Sequence, residues 1–75
     1  MTEKQFIQGL QEEVFTETNP ELISLKTNFK DLDEWDSLVS LCLIAYFDMN
    51  LGKKISGDQI KNSNTIQDLY NIFNL

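Results

Sequence analysis

The chain has 75 residues, with six Lys, no Arg and no His against twelve Asp plus Glu, for a formal charge of −6. That length bounds it to one domain, residues 1–75, near the lower limit for a self-supporting core, and leaves no material for walls around a deep catalytic pocket. The acidic balance excludes a nucleic-acid module, which neutralises phosphates with clustered Lys and Arg, and favours partners with basic docking surfaces.

A single cysteine, Cys42, allows neither an internal disulfide nor a multi-cysteine metal site. A lone thiol suits a reducing compartment, so a cytoplasmic location is expected. The opening Met1-Thr2-Glu3-Lys4-Gln5 lacks the layout of a signal peptide. The longest apolar run, around Leu41 to Phe47, is too short to span a bilayer.

Thr2 with Gln5 three positions on is a capping-box pattern, so a first helix is predicted to begin at once. Phe6, Ile7, Leu10 and Val14 repeat at helical spacing, although Gly9 weakens the pattern. The periodicity fades near Thr16, and Asn19-Pro20 ends any continuation. Residues 17–35 then form a long connection. Asn19-Pro20-Glu21 suits a short helical turn. Leu22, Ile23, Leu25, Phe29 and Leu32 are too many apolar residues for a free linker, so the segment is expected to be ordered and packed.

The second helix is predicted from Asp36-Ser37 to about Asn50, with Asp36 as N-cap and Gly52-Lys53-Lys54 as its stop. It is apolar almost all the way round. One stripe is Ser40, Ile44, Phe47 and Leu51; another, nearly opposite, is Leu38, Cys42, Ala45 and Met49. A bundle this small cannot cover both, so the second stripe is expected to be exposed for interaction. Ser56 with Gln59 caps a short helix to about Asn62, and Thr65 with Asp68 caps a last one carrying Ile66, Leu69, Tyr70 and Phe73. The expected fold class is all-α, three main helices and one short third helix, cored by Phe6, Leu10, Val14, Ile44, Phe47, Ile66, Leu69 and Phe73.

The acidic run Asp31-Leu32-Asp33-Glu34-Trp35-Asp36 fails as a calcium loop. Counted from Asp31, it offers Trp35, Asp36 and Cys42 where an acid or amide, a glycine and a glutamate are needed. Ser37 as a catalytic nucleophile lacks a histidine base and a glycine-rich elbow. Cys42 lacks a supporting base too, and reads as a small apolar residue on a helix face. Ser37 by itself is an ordinary first-turn serine. Free N–H groups and the helix dipole at that position nevertheless suit an attached phosphate.

Taken together, the chain resembles the acyl carrier proteins over nearly its whole length. The resemblance rests on Leu32-Asp33-Glu34-Trp35-Asp36-Ser37-Leu38 opening the second helix, on Leu51-Gly52-Lys53-Lys54-Ile55-Ser56 before the short helix, and on Thr65-Ile66-Gln67-Asp68-Leu69 at the start of the last. It implies an acyl-carrier-like four-helix bundle in which Ser37 accepts 4′-phosphopantetheine from coenzyme A through a phosphopantetheinyl transferase using Mg²⁺. The arm's thiol would carry acyl or aminoacyl groups as thioesters between activating and transferring enzymes, and the protein, expected to be a monomer, would catalyse nothing itself. Asp36 and Leu38 would serve partner recognition.

The sequence departs from the pattern of fatty-acid carriers along the second helix. Positions where acids are frequent in that family hold Val39, Cys42, Met49 and Asn50, with Asp48 as the main acid remaining, and the junction holds Lys53 and Lys54. Docking is therefore expected to lean on apolar contact through Leu38, Val39, Cys42 and Met49, with the acids of 31–36 as the charged remainder. A carrier in fatty-acid-related or specialised metabolite biosynthesis is expected. The alternative is a helical interaction adaptor with this fold and no prosthetic group.

Overall fold

The computed structural model describes residues 1–75. Four helices and no strands follow in order: α1 (Glu3–Glu13), α2 (Ser37–Asn50), α3 (Gly57–Lys61) and α4 (Ile66–Phe73). The connection from α1 to α2 contains two short 3₁₀ turns, Pro20–Leu22 and Phe29–Asp31. The all-α expectation holds. No helix is long and apolar enough to cross a membrane.

Each helix begins where a side chain satisfies the free N–H groups of its first turn. Thr2 accepts from the Gln5 N–H at 3.2 Å while the Gln5 side chain accepts from the Thr2 N–H at 2.9 Å. Ser56 and Gln59 repeat the reciprocal pair at α3, at 3.1 and 2.9 Å. At α4, Thr65 Oγ1 accepts from the Asp68 N–H, and Asp68 Oδ2 accepts from the N–H groups of Asn64 and Thr65 at 2.8 and 3.1 Å. These donors hold the Asp68 carboxyl below the usual carboxylate range, with the Asn64 N–H the largest cause. Helix α2 stops two residues before Gly52, whose φ of 64° lies in the left-handed region that favours glycine, and the Lys53 N–H returns to the Phe47 carbonyl at 3.0 Å.

The long connection is bound to the bundle through its backbone. Phe29 N–H donates to Asn64 O, Ile66 N–H to Thr27 O, and Gln67 N–H to Leu25 O, at 3.2, 3.0 and 2.9 Å. The last two are first-turn donors of α4, so the connection completes the capping of that helix. Gln11 reaches from α1 to the Pro20 carbonyl at 2.9 Å. Ile23 and Phe29 are buried, and Leu25, Leu32 and Trp35 pack partly buried against the same core. Leu22 is the exception to the expected packing, at 58% exposed. A 3₁₀ turn sets successive side chains about a third of a turn apart, so Ile23 takes the inward position and Leu22 faces water.

The core joins Phe6, Leu10 and Val14 of α1 and its end to Phe47 of α2 and Ile66 and Leu69 of α4. Ile44 and Phe73, expected at its centre, are only partly buried at its edge. The buried side of α2 is centred instead on Leu43, Tyr46 and Phe47, with Ser40, Ile44 and Leu51 half-buried beside it. A helix apolar on every side has no preferred inward direction of its own, so neighbouring elements set its rotation. Gly9 belongs to this packing: a Cβ there would lie 1.7 Å from the Tyr46 hydroxyl oxygen. Glycine lets α1 and α2 meet at the ring.

Gly9→Ala should lower the melting temperature despite a better helix propensity. Propensity offers about 1 kcal/mol, whereas forcing Tyr46 aside costs about 1–3 kcal/mol. Combination with Tyr46→Ala should be less than additive in a denaturation cycle. The depressed Asp68 carboxyl contributes stability that is present above its unfolded value, about 3.9, and lost as pH falls through the lower folded value. Asp68→Asn should therefore flatten the acid limb of a stability–pH profile without creating a transition near neutral pH.

Candidate functional site

The approach to Ser37 is held by an aromatic anchor. The Trp35 ring meets the fully buried Phe29 ring edge-on at a centroid distance of 4.9 Å and lies 6.3 Å from the Phe15 ring. The Trp35 backbone N–H donates to Leu32 O at 3.0 Å, closing the turn that precedes the helix. Asp36 follows in extended conformation, and its Oδ1 accepts from the Val39 N–H at 2.8 Å. The backbone is thus fixed immediately before and after Ser37.

Ser37 is the first residue of α2 and is exposed. The Ser40 N–H bonds Asp36 O and the Val39 N–H bonds the Asp36 carboxylate, but the N–H groups of Ser37 and Leu38 have no partner within the chain. The start of α4, by contrast, is closed by the long connection. Beside Ser37 lies an open groove of about 380 Å³ between the start of α2 and α3, lined by Lys30, Trp35, Ser40, Ile60 and Lys61 among others. Lys30 Nζ donates to the Lys61 carbonyl at 2.6 Å, which holds the Lys30 ammonium at the groove. Two of the six lysines of an acidic chain therefore converge at this serine.

The acids of 31–36 divide by role. Glu34 is engaged internally, accepting from the Glu17 N–H and the Thr18 hydroxyl, and so fastens the segment that follows α1 to the approach of α2. Asp36 is exposed but caps the helix; Asp31 and Asp33 are exposed and make no ion pair. The acids were expected to serve partner recognition or the helix N-terminus; Asp36 does the latter, whereas Glu34 is taken up by Glu17 and Thr18.

Along α2, Leu38 is 67% and Met49 81% exposed, with Cys42 and Ala45 exposed between them. Leu41, 62% exposed, belongs to the same face and was missed in the sequence. Its position three after Leu38 and four before Ala45 is the signal that places it there. Val39 does not belong to this face. It is half-buried against the core, one turn from Leu43 on the inward side, and leaves little side chain for a partner. Further along, Glu13, Cys42, Tyr46 and Met49 line a shallow hollow of about 230 Å³. Burial, then the charges of Glu13 and Glu12, pushes the Tyr46 phenol above its ordinary value, so it stays protonated there at neutral pH. No three acids, cysteines or histidines come together in a group able to hold a metal ion.

Comparison with protein-family models, with curated proteins and with solved structures finds no match to this chain. The site is thus defined by its own geometry: an exposed hydroxyl on a rigid helix start, two unpaired amides, two neighbouring lysines and an uncovered apolar helix face.

Leu41→Ser and Met49→Ser should each change unfolding free energy by no more than about 0.5 kcal/mol, since neither side chain supports the core. Leu43→Ala, on the opposite side of the same helix, should cost about 2–5 kcal/mol by chemical denaturation.

Proposed function

We propose that the chain is a carrier protein of the acyl carrier type, with 4′-phosphopantetheine on Ser37. The observation that carries this reading is the exposed Ser37 at the first position of α2, beside free backbone N–H groups and on a groove that Lys30 and Lys61 help to line. Amides and ammonium groups together suit a phosphodiester anion, in a protein whose net charge would otherwise oppose it. The residues present therefore fit the group.

Loading would join Ser37 Oγ to the pantetheine-bearing phosphorus of coenzyme A. In that step the pyrophosphate bond would break, 3′,5′-ADP would leave, and the hydroxyl proton would pass to a base of the Mg²⁺-dependent transferase. The arm supplies the thiol on which acyl or aminoacyl groups travel as thioesters. The chain's own part is positional. Trp35 and Asp36 fix the helix start, Lys30 and Lys61 offset the phosphate charge, and Leu38, Leu41 and Met49 meet activating and transferring enzymes by apolar contact. Asp31, Asp33 and Asp36 supply the charge that orients a basic partner surface. A cytoplasmic site of action accompanies this reading, because coenzyme A must be at hand.

The uncovered face of α2 also favours a second reading, an adaptor of the same shape with no prosthetic group. That reading gives the lysines beside Ser37 no task. Incubation with coenzyme A, Mg²⁺ and a promiscuous phosphopantetheinyl transferase decides between them by intact mass. The wild-type chain should gain one phosphopantetheinyl group and Ser37→Ala none. An unlabelled wild type, or equal labelling of Ser37→Ala, would leave the adaptor.

A further inference from the structure

Taking the carrier reading as its premise, we infer that Lys30, rather than Lys61, holds the phosphodiester of the arm, so that the arm is rooted in the groove between α2 and α3. Lys30 lies in the second 3₁₀ turn of the connection, and its ammonium is fixed before any anion arrives. It donates to the carbonyl of Lys61, the last residue of α3, at 2.6 Å and stands 5.9 Å from the centroid of the fully buried Phe29 ring. Its side chain is half-buried, whereas Lys61 is exposed and no ion pair fixes it. An ammonium has three donors and the Lys61 carbonyl takes one. Two remain for an anion in the groove that Lys30 lines together with Ser37. Neither lysine is neutralised within the chain, whose one ion pair joins Lys54 to Asp48.

Prior ordering decides between the two lysines. A free surface lysine must give up side-chain freedom to pair, and such pairs contribute little. Lys30 has given up that freedom on folding, through its bond to α3 and its seat by Phe29, so less of its attraction for a phosphate is lost to ordering. The groove takes Ser37 and Ser40 from α2, and neither Leu38, Leu41 nor Met49 is in its wall. At about 100° per residue the two sets are centred about a third of a turn apart. A partner seated on the apolar face therefore leaves the Lys30 contact in place. The phosphate stays a fixed root while the far end of the arm reaches the partner.

Lys30 also closes the end of α3, and that role has to be separated from the anion. Melting temperatures are compared for the unloaded and loaded full chain as wild type, Lys30→Gln, Lys30→Arg and Lys61→Gln. Loss of the bond to α3 is common to both forms and cancels in the difference between them. Lys30→Gln should remove about 2–6 °C of the loaded-minus-unloaded difference at low salt, and Lys61→Gln less than half as much. Lys30→Arg keeps the charge and should retain the effect, and salt of about 1 M should shrink it by more than half. The phosphorus NMR resonance of the arm should move with Lys30→Gln and not with Lys4→Gln, on α1. Equal differences in wild type and Lys30→Gln, or an effect of Lys61→Gln as large as that of Lys30→Gln, overturns the inference and leaves the carrier reading intact. A wild-type chain that the transferase cannot load removes the carrier reading. The same comparison is therefore repeated with phosphoserine incorporated in place of Ser37. There, a loss with Lys30→Gln supports Lys30 as the anion's partner without the arm, and no loss overturns it.

Discussion

Trp35 packed against Phe29 and Phe15 is the contact on which the site depends. A long, mostly irregular connection separates α1 from α2, and a helix start at its end would wander without an anchor. The indole supplies one, two residues before Ser37, and Phe29 beneath it is fully buried. The same stretch completes the capping of α4 through Thr27 and Leu25 carbonyls. The same segment thus docks on the core and closes α4, and Ser37 follows it at a defined place. An aromatic contact worth about 0.5–1.5 kcal/mol beyond its burial acts here mainly through position.

Helix α2 carries both halves of the molecule's business on opposite sides. Its inward side, Leu43, Tyr46 and Phe47, closes the core against α1, where Gly9 makes room. Its outward side runs from Leu38 through Leu41 and Ala45 to Met49 and is left uncovered. Three other short helices cannot enclose an apolar cylinder, so part of it must face water or a partner. Lysines converge at the end where an anion is proposed, within a chain of net charge −6. That local reversal is the most specific electrostatic feature of the surface.

The elements were legible because their signals are local. Thr2 with Gln5, Ser56 with Gln59 and Thr65 with Asp68 bond as their spacing implies, since a cap involves only one turn of chain. Asp36 and Gly52 bound α2 for the same reason. The core of α1 and α4 was also readable, because both helices are amphipathic and Phe6, Leu10, Ile66 and Leu69 have one side to choose. Leu43 and Tyr46 were missed, and Ile44 was placed too deep, because α2 lacks that asymmetry. Leu22 was misplaced because a 3₁₀ turn, unlike a helix, shows no period long enough to read.

By itself, then, the sequence determined the helix order, the caps, an acidic surface and an accessible serine at the head of the most apolar helix. Each of these follows from interactions within a few residues or from summed charge. Only the tertiary structure decided which side of α2 is buried, that Val39 turns inward and Leu41 outward, that Glu34 is engaged, and that Lys30 and Lys61 stand beside Ser37. Those outcomes depend on contacts between residues far apart in the chain, which no local period records.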